Sequence, residues 1–409
     1  MLPAVALFPM VPENGAMHCA SRLLVVAISW LAPISAQDPS APALVPASPA
    51  AEVAWRYAPQ PSAFDEVVVG DGVLFALDRR GLVHAIDAVT GKSRWLGKDP
   101  LVCDRVFGIA YTQQESGSLV VVGTDKGMFA FRAKDGEKVW FTAVAAGVAG
   151  PAVAKGLVVA GGADGKVHGF DLKTGEIRWQ QDYLEDRPED PPGFKGSDAR
   201  FSEPARPGGA ATDGDMVALS IFDQCRTLAL DAATGKRLWD FKTGGWMYGR
   251  PSIGPLFVYV GSQDEHVYAI DKQIGKQQWK LATRSRNEAM GALQDRFVYC
   301  GSCDGTLHAI DVAVGRVEWT FPIERFAGRT TAMYSSPVVL GELVYCGAME
   351  GTVYALQRAT GKVRWKLRPS QDSEITGDLV TDGERLFVVT RDHMGKGESS
   401  VLAIRIPKG

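Results

Sequence analysis

The sequence predicts an all-β chain folded as an eight-bladed β-propeller, with four antiparallel strands per blade, closed by pairing of the N-terminal strand with the C-terminal blade. Three observations carry this expectation. Eight tryptophans, Trp55, Trp95, Trp140, Trp179, Trp239, Trp279, Trp319 and Trp365, recur at spacings of 40, 45, 39, 60, 40, 40 and 46 residues. A common unit leads into seven of them; in the first, Val83-His84-Ala85-Ile86-Asp87 runs through Thr90-Gly91-Lys92 to Trp95. Within each unit, short runs rich in Val, Tyr, Phe and Ile alternate apolar and polar positions between glycine-bearing turns, which is strand patterning.

The elements follow in order. The apolar run Leu23 to Ala36 has 14 residues, follows Arg22 and ends in Ser35 and Ala36. It is shorter than the roughly 20 residues that span a bilayer. Residues 1–36 are therefore expected to be a cleaved signal peptide, with Met17 as a possible true start. Residues 37–52, QDPSAPALVPASPAAE, form a Pro/Ala-rich tether expected to be disordered.

Residues 53–409 are expected to be one propeller domain. Trp55 has no strands before it, and the last unit, LFVVTRDHMGKGESSVLAIRI, has no Trp strand after it, so each supplies what the other lacks. Such closure removes the open sheet edge of a linear array. Glycines such as Gly91, Gly175 and Gly235 supply the positive φ of the turn before each Trp strand. Each Trp is expected to fill the widening gap between neighbouring blades. The 60-residue spacing comes from an acidic, Pro-rich insertion, Tyr183 to Pro207. Glu185, Asp186, Glu189 and Asp190 give it calcium-ligand chemistry, but the intervening prolines hinder wrapping around an ion, and a solvated loop is expected.

Composition narrows the function. Among 409 residues, 44 Lys and Arg face 47 Asp and Glu, a formal charge of -3 that gives no electrostatic reason to bind nucleic acid or an anionic membrane. Only six His and six Cys are present. His84, His168 and His308 share one repeat position, so they are spread around a ring and cannot meet on one metal ion. Cys300 of Cys300-Gly-Ser-Cys303 lies in a strand, where its i+3 neighbour faces the other side. Cys346 takes the same register in the next blade and Val260 in the preceding one, so the thiols are expected to be small core groups. Five cysteines outside the leader, an odd number, argue against a complete disulfide framework.

The unit from Val83 to Trp95 resembles the PQQ-like β-propeller repeat family, over roughly Trp55 to Ile406. That family includes BamB-like outer-membrane assembly factors and quinoprotein dehydrogenases. Resemblance to the latter implies PQQ near the axis, a vicinal cysteine pair and a calcium site. The sequence has no adjacent cysteines and no Cys-x-x-Cys-His, so neither PQQ nor calcium nor another metal is expected.

Turns between the second and third strands share one face with the blade-to-blade connectors, and that face holds the loop variation. Trp246, Tyr248, Arg250, Arg286, Arg325, Arg329 and Tyr334 lie in its connectors and are the candidate partner-binding residues, aromatic and Arg side chains being common interface anchors. The expected function is a non-catalytic, exported, monomeric scaffold that binds a protein or peptide of the cell envelope, BamB-like in its most specific form. The alternative is a PQQ-dependent dehydrogenase-like or other propeller-cleft enzyme.

Overall fold

The computed structural model describes residues 51–407 apart from 61–62, 98–100, 102, 104, 184–206, 290, 326–330, 370–372, 376 and 393–398. All of these lie in one compact unit, Ala47–Gly409. The leader, nearly all of the tether, the four carboxylates of the insertion, and Arg329 lie outside the described residues.

Eight antiparallel sheets form the eight blades of a β-propeller. In the first, the strands from the axis outwards are Phe64–Gly70, Val73–Asp78, Val83–Asp87 and Ser93–Leu96. The expected closure is present: Glu52–Tyr57 pairs with Ser399–Arg405, Glu52 opposite Arg405 and Trp55 opposite Ala403. The eighth blade departs from the regular pattern at its inner strand, which is split into Ser373–Ile375 and Val380–Thr381.

The second strands are buried along all or most of their length, fully so in the first four blades as in Val73–Asp78, because neighbouring blades cover both faces. The period-2 geometry of a strand then sends alternate residues to opposite neighbours. Val73, Phe75 and Leu77 join a cluster shared with the second blade. Leu74 and Ala76 join one shared with the eighth. Among the described residues the buried apolar side chains fall into eight such clusters, one at each interface between blades.

The repeated Asp-x-x-Thr-Gly-Lys segment is a turn held by its own carboxylate. Asp87 Oδ1 accepts from the Thr90 N–H at 2.8 Å and from Thr90 Oγ1 at 2.9 Å, while the Gly91 N–H donates to Asp87 O. Gly91 meets two demands: its φ is +70°, and a Cβ there would lie 2.7 Å from the ring of Trp55 in the preceding blade. Six of the eight repeated tryptophans also donate Nε1–H to a carbonyl of that adjoining turn, as Trp55 does to Ala88 O at 3.1 Å and Trp279 to Val312 O at 2.9 Å. These six indoles thus tie their own blades to the next.

Inner strands differ around the ring. Those of the first four blades have seven, seven, seven and six residues. In the next three they shrink to two, two and three. The connectors Thr243–Arg250, Thr283–Gly291 and Thr331–Ser336 therefore take over the space around the axis there.

Candidate functional site

Each blade contributes a radial row of paired residues, in the first blade Val68, Phe75, Ala85 and Trp95 from the axis outwards. Two residues before the innermost member of each row stand Glu66, Gly108, Gly150, Gly209, Arg250, Met290, Ser336 and Asp378, in blade order. Met290 lies outside the described residues. Six of these positions, Glu66, Gly150, Gly209, Arg250, Ser336 and Asp378, line a single cavity of about 1210 Å³ on the connector face.

The three consecutive glycines let the inner strands close up on one another: a Cβ at Gly108 would lie 3.1 Å from Gly150 Cα, and one at Gly150 would lie 2.4 Å from Gly209 Cα. A Cβ at Gly209 would fall 2.0 Å from Arg250 Cγ, so the Arg250 side chain lies directly over this glycine. From there its Nη2 reaches Glu66 Oε2 at 3.4 Å, joining residues 184 apart in sequence. Glu66 Oε2 also accepts the Ile109 N–H at 3.2 Å. Asp378, one blade before Glu66, is exposed and accepts the Ser336 N–H at 2.8 Å.

Two further layers complete the pocket. The connector Ala143 to Gly150 builds a wall of small residues, bent at Ala146 and Gly147, both with positive φ. Aromatic rings line the pocket as well. The turn between the second and third strands of the fourth blade forms a short 3-10 helix, Phe222–Gln224, and places Phe222 between Trp246 and Tyr248, with ring centroids 4.8 and 4.2 Å away. Tyr248, Glu288 and Tyr334 hold equivalent places in three successive connectors, two residues before the axial ring, and all three line the cavity.

The sequence-derived candidates thus separate. Tyr248, Arg250 and Tyr334 meet in the cavity. Trp246 stands behind Phe222, and Arg286 turns to Glu288 with an N···O distance of 3.5 Å. Arg325 is exposed and does not line the pocket. Sequence reasoning missed Glu66 and Phe107 on inner strands, Phe222 in a turn, and Asp378 in the break of the eighth blade's inner strand; aligning the inner strands in register would have found Glu66 and Asp378.

The histidines are tied into separate blades. His84 Nε2 meets Asp78 at 3.1 Å and its Nδ1 meets Tyr57 Oη at 3.0 Å, whereas His168 contacts Asp164 and Gln180, each at 3.1 Å. His308 is buried with neither ring nitrogen paired among the described residues, and burial lowers its pKa. The five described cysteines are free thiols. Burial pushes Cys300 up to about 12 and Cys303 up to about 11, the reverse of an activated thiolate. Among the described residues no three His, Cys, Asp or Glu side chains are grouped to hold a metal ion, and no helix is long and apolar enough to cross a membrane.

Fold and repeat together define a PQQ-like repeat propeller with a connector-face cavity at its axis. A family profile described as "Outer membrane protein assembly factor BamB" matches residues 47–193 and 189–409, and the chain belongs to that family. Outer membrane protein assembly factor BamB of Burkholderia pseudomallei (strain K96243) is 35% identical over 117 residues, 28% of this chain and 29% of that protein. The dehydrogenase subunit of alcohol dehydrogenase (quinone) from Komagataeibacter europaeus is 28% identical over 215 residues, 43% of this chain and 28% of that protein. The chain thus spans less than a third of each of these two relatives. The crystal structure of BamB from Moraxella catarrhalis superposes with a TM-score of 0.65 at 19% identity, covering 87% of this chain and 100% of that one, a likeness of fold.

Proposed function

We propose that the protein is a non-catalytic scaffold that docks a protein or peptide segment of the cell envelope at the axial cavity, with a BamB-like part in outer-membrane protein assembly as its most specific form. The carrying observation is the cavity: about 1210 Å³, walled by Phe107, Phe222, Tyr248 and the small-residue connector. That exceeds the roughly 300–1,000 Å³ of ordinary small-molecule pockets and suits an extended segment with apolar side chains. Among the described residues no His or Cys lines it.

A quinone bearing three carboxylates fits the lining poorly. It would meet Glu66, Asp125, Glu288 and Asp378 against Arg105, Lys126 and Arg250. Two of these cations already face carboxylates, Lys126 at Asp125 (3.0 Å) and Arg250 at Glu66 (3.4 Å). The proposed protein accordingly carries no resident quinone or metal, works as a monomer, and acts in the periplasm or outside the cell.

Site-specific photocrosslinking tests the docking reading. A photoreactive group replacing Tyr248 should capture an outer-membrane assembly protein, and the same group at Leu256, 69% exposed on the opposite face, should not. Saturable PQQ binding in calcium, with reduction of an artificial electron acceptor, would overturn it in favour of the dehydrogenase-like alternative.

A further inference from the structure

Resting on that docking reading, we infer that the axial cavity selects a segment carrying a basic side chain, its guanidinium or ammonium seated over Asp378 and Glu66. The axial ring is polarised: three glycine positions in a row are followed by Arg250, and two carboxylates stand together in the eighth and first blades. The protein already shows how one of these carboxylates is answered. Arg250 crosses the mouth of the axis over Gly209 to reach Glu66, so a guanidinium on a flexible stem occupies this site in the structure itself.

Asp378 holds the equivalent place one blade away. Its described partner is a single backbone N–H, that of Ser336. A carboxylate has about four acceptor sites, so most of its capacity remains open. Glu288, in the same lining, is already answered by Arg286 at 3.5 Å and Gln263 at 2.8 Å, which leaves Asp378 as the carboxylate to be met, and the Ala143 to Gly150 wall with Phe107 and Phe222 offers apolar surface for the stem and a neighbouring residue. Long basic side chains are suited to this division, since they bury their methylenes while the charged head is paired. An acidic segment would face Asp378 with like charge.

The test uses the full chain and four labelled hexapeptides, Ala-Ala-Phe-Xaa-Ala-Ala with Xaa Arg, Lys, norleucine or Glu, titrated by fluorescence anisotropy. The Arg and Lys peptides should bind at least tenfold more tightly than the other two. Asp378→Asn should cut that preference at least fivefold, and Arg250→Ala should tighten the Arg peptide severalfold by vacating Glu66. Should Asp378→Asn lower the melting temperature, Glu66→Gln provides the second reading. Norleucine or Glu peptides binding as tightly as Arg, or a preference unmoved by Asp378→Asn in folded protein, overturns the inference. Equal binding of all four peptides that Tyr248→Ala abolishes keeps the docking reading and removes only the basic preference. Binding by none of the four also overturns the inference, while crosslinking from position 248 judges docking separately.

Discussion

Trp279 and Trp365 hold the same repeat position, yet only Trp279 has an acceptor for its indole N–H, the carbonyl of Val312 at 2.9 Å. Trp365 Nε1, like Trp179 Nε1, is buried without a partner among the described residues; the turn that would face Trp365 would join Arg405 to Glu52, which are distant in sequence. Trp279→Phe should therefore cost about 1 kcal/mol more than Trp365→Phe, the net worth of one hydrogen bond beyond the shared loss of area, as read from urea midpoints at unchanged m. Equal losses would mean that packing alone sets the value of the indole. The positions of these residues were plain in the sequence, since they recur in step with the Asp-x-x-Thr-Gly-Lys turns. Which indoles lack an acceptor was hidden, because the acceptor belongs to a different blade.

Turns and connectors are the elements in which the repeat and the site diverge. Arg94 beside Asp87, together with the Thr90 N–H, holds the Asp87 carboxyl at about 2, and Arg178 does the same for Asp171. A carboxyl depressed on folding stabilises the native state above its ordinary pKa near 4 and loses that contribution as pH falls towards 2. The pairs lie at the surface and are screened by solvent, so each contribution is small. Asp87→Asn should lower the melting temperature at pH 7, and its difference from the parent protein should vanish between pH 4 and pH 2 in thermal melts. This turn was legible because its glycine and carboxylate are fixed by local geometry. The connectors carry no such motif. Residue type pointed equally to Trp246 and Tyr248; strand alternation would put these i and i+2 residues on one side, but the irregular connector sends Tyr248 into the cavity and Trp246 against Phe222 away from it. Only the shared register of Tyr248, Glu288 and Tyr334 distinguishes them, and it depends on how far each short inner strand reaches.

For the whole molecule, number of blades, strand order and closure were all readable, because a ring of eight similar units leaves one place for an orphan strand at each end of the repeat. The polarity of the axis was not, since it arises from eight residues that never neighbour one another in sequence. Register also makes the closure testable. Arg405 to Gly409 align with Asp87 to Gly91, and Glu52 aligns with Lys92, so Gly409 joined directly to Glu52 restores a full-length turn in the sequence. A permutant with that junction, opened between Gly91 and Lys92, should keep the native circular dichroism spectrum and melt within a few degrees of the parent. One opened between Val121 and Val122, inside a buried strand, should not fold. The same closure sets a schedule. Glu52 is ion-paired with Arg405, 353 positions later, and at about 5–20 residues per second of synthesis the first strand waits roughly 20–70 s for its partner. Throughout that interval Trp55 and Tyr57 lack the strand they pair with, which makes the newborn chain a client for whatever holds unfinished sheets apart before the ring can shut.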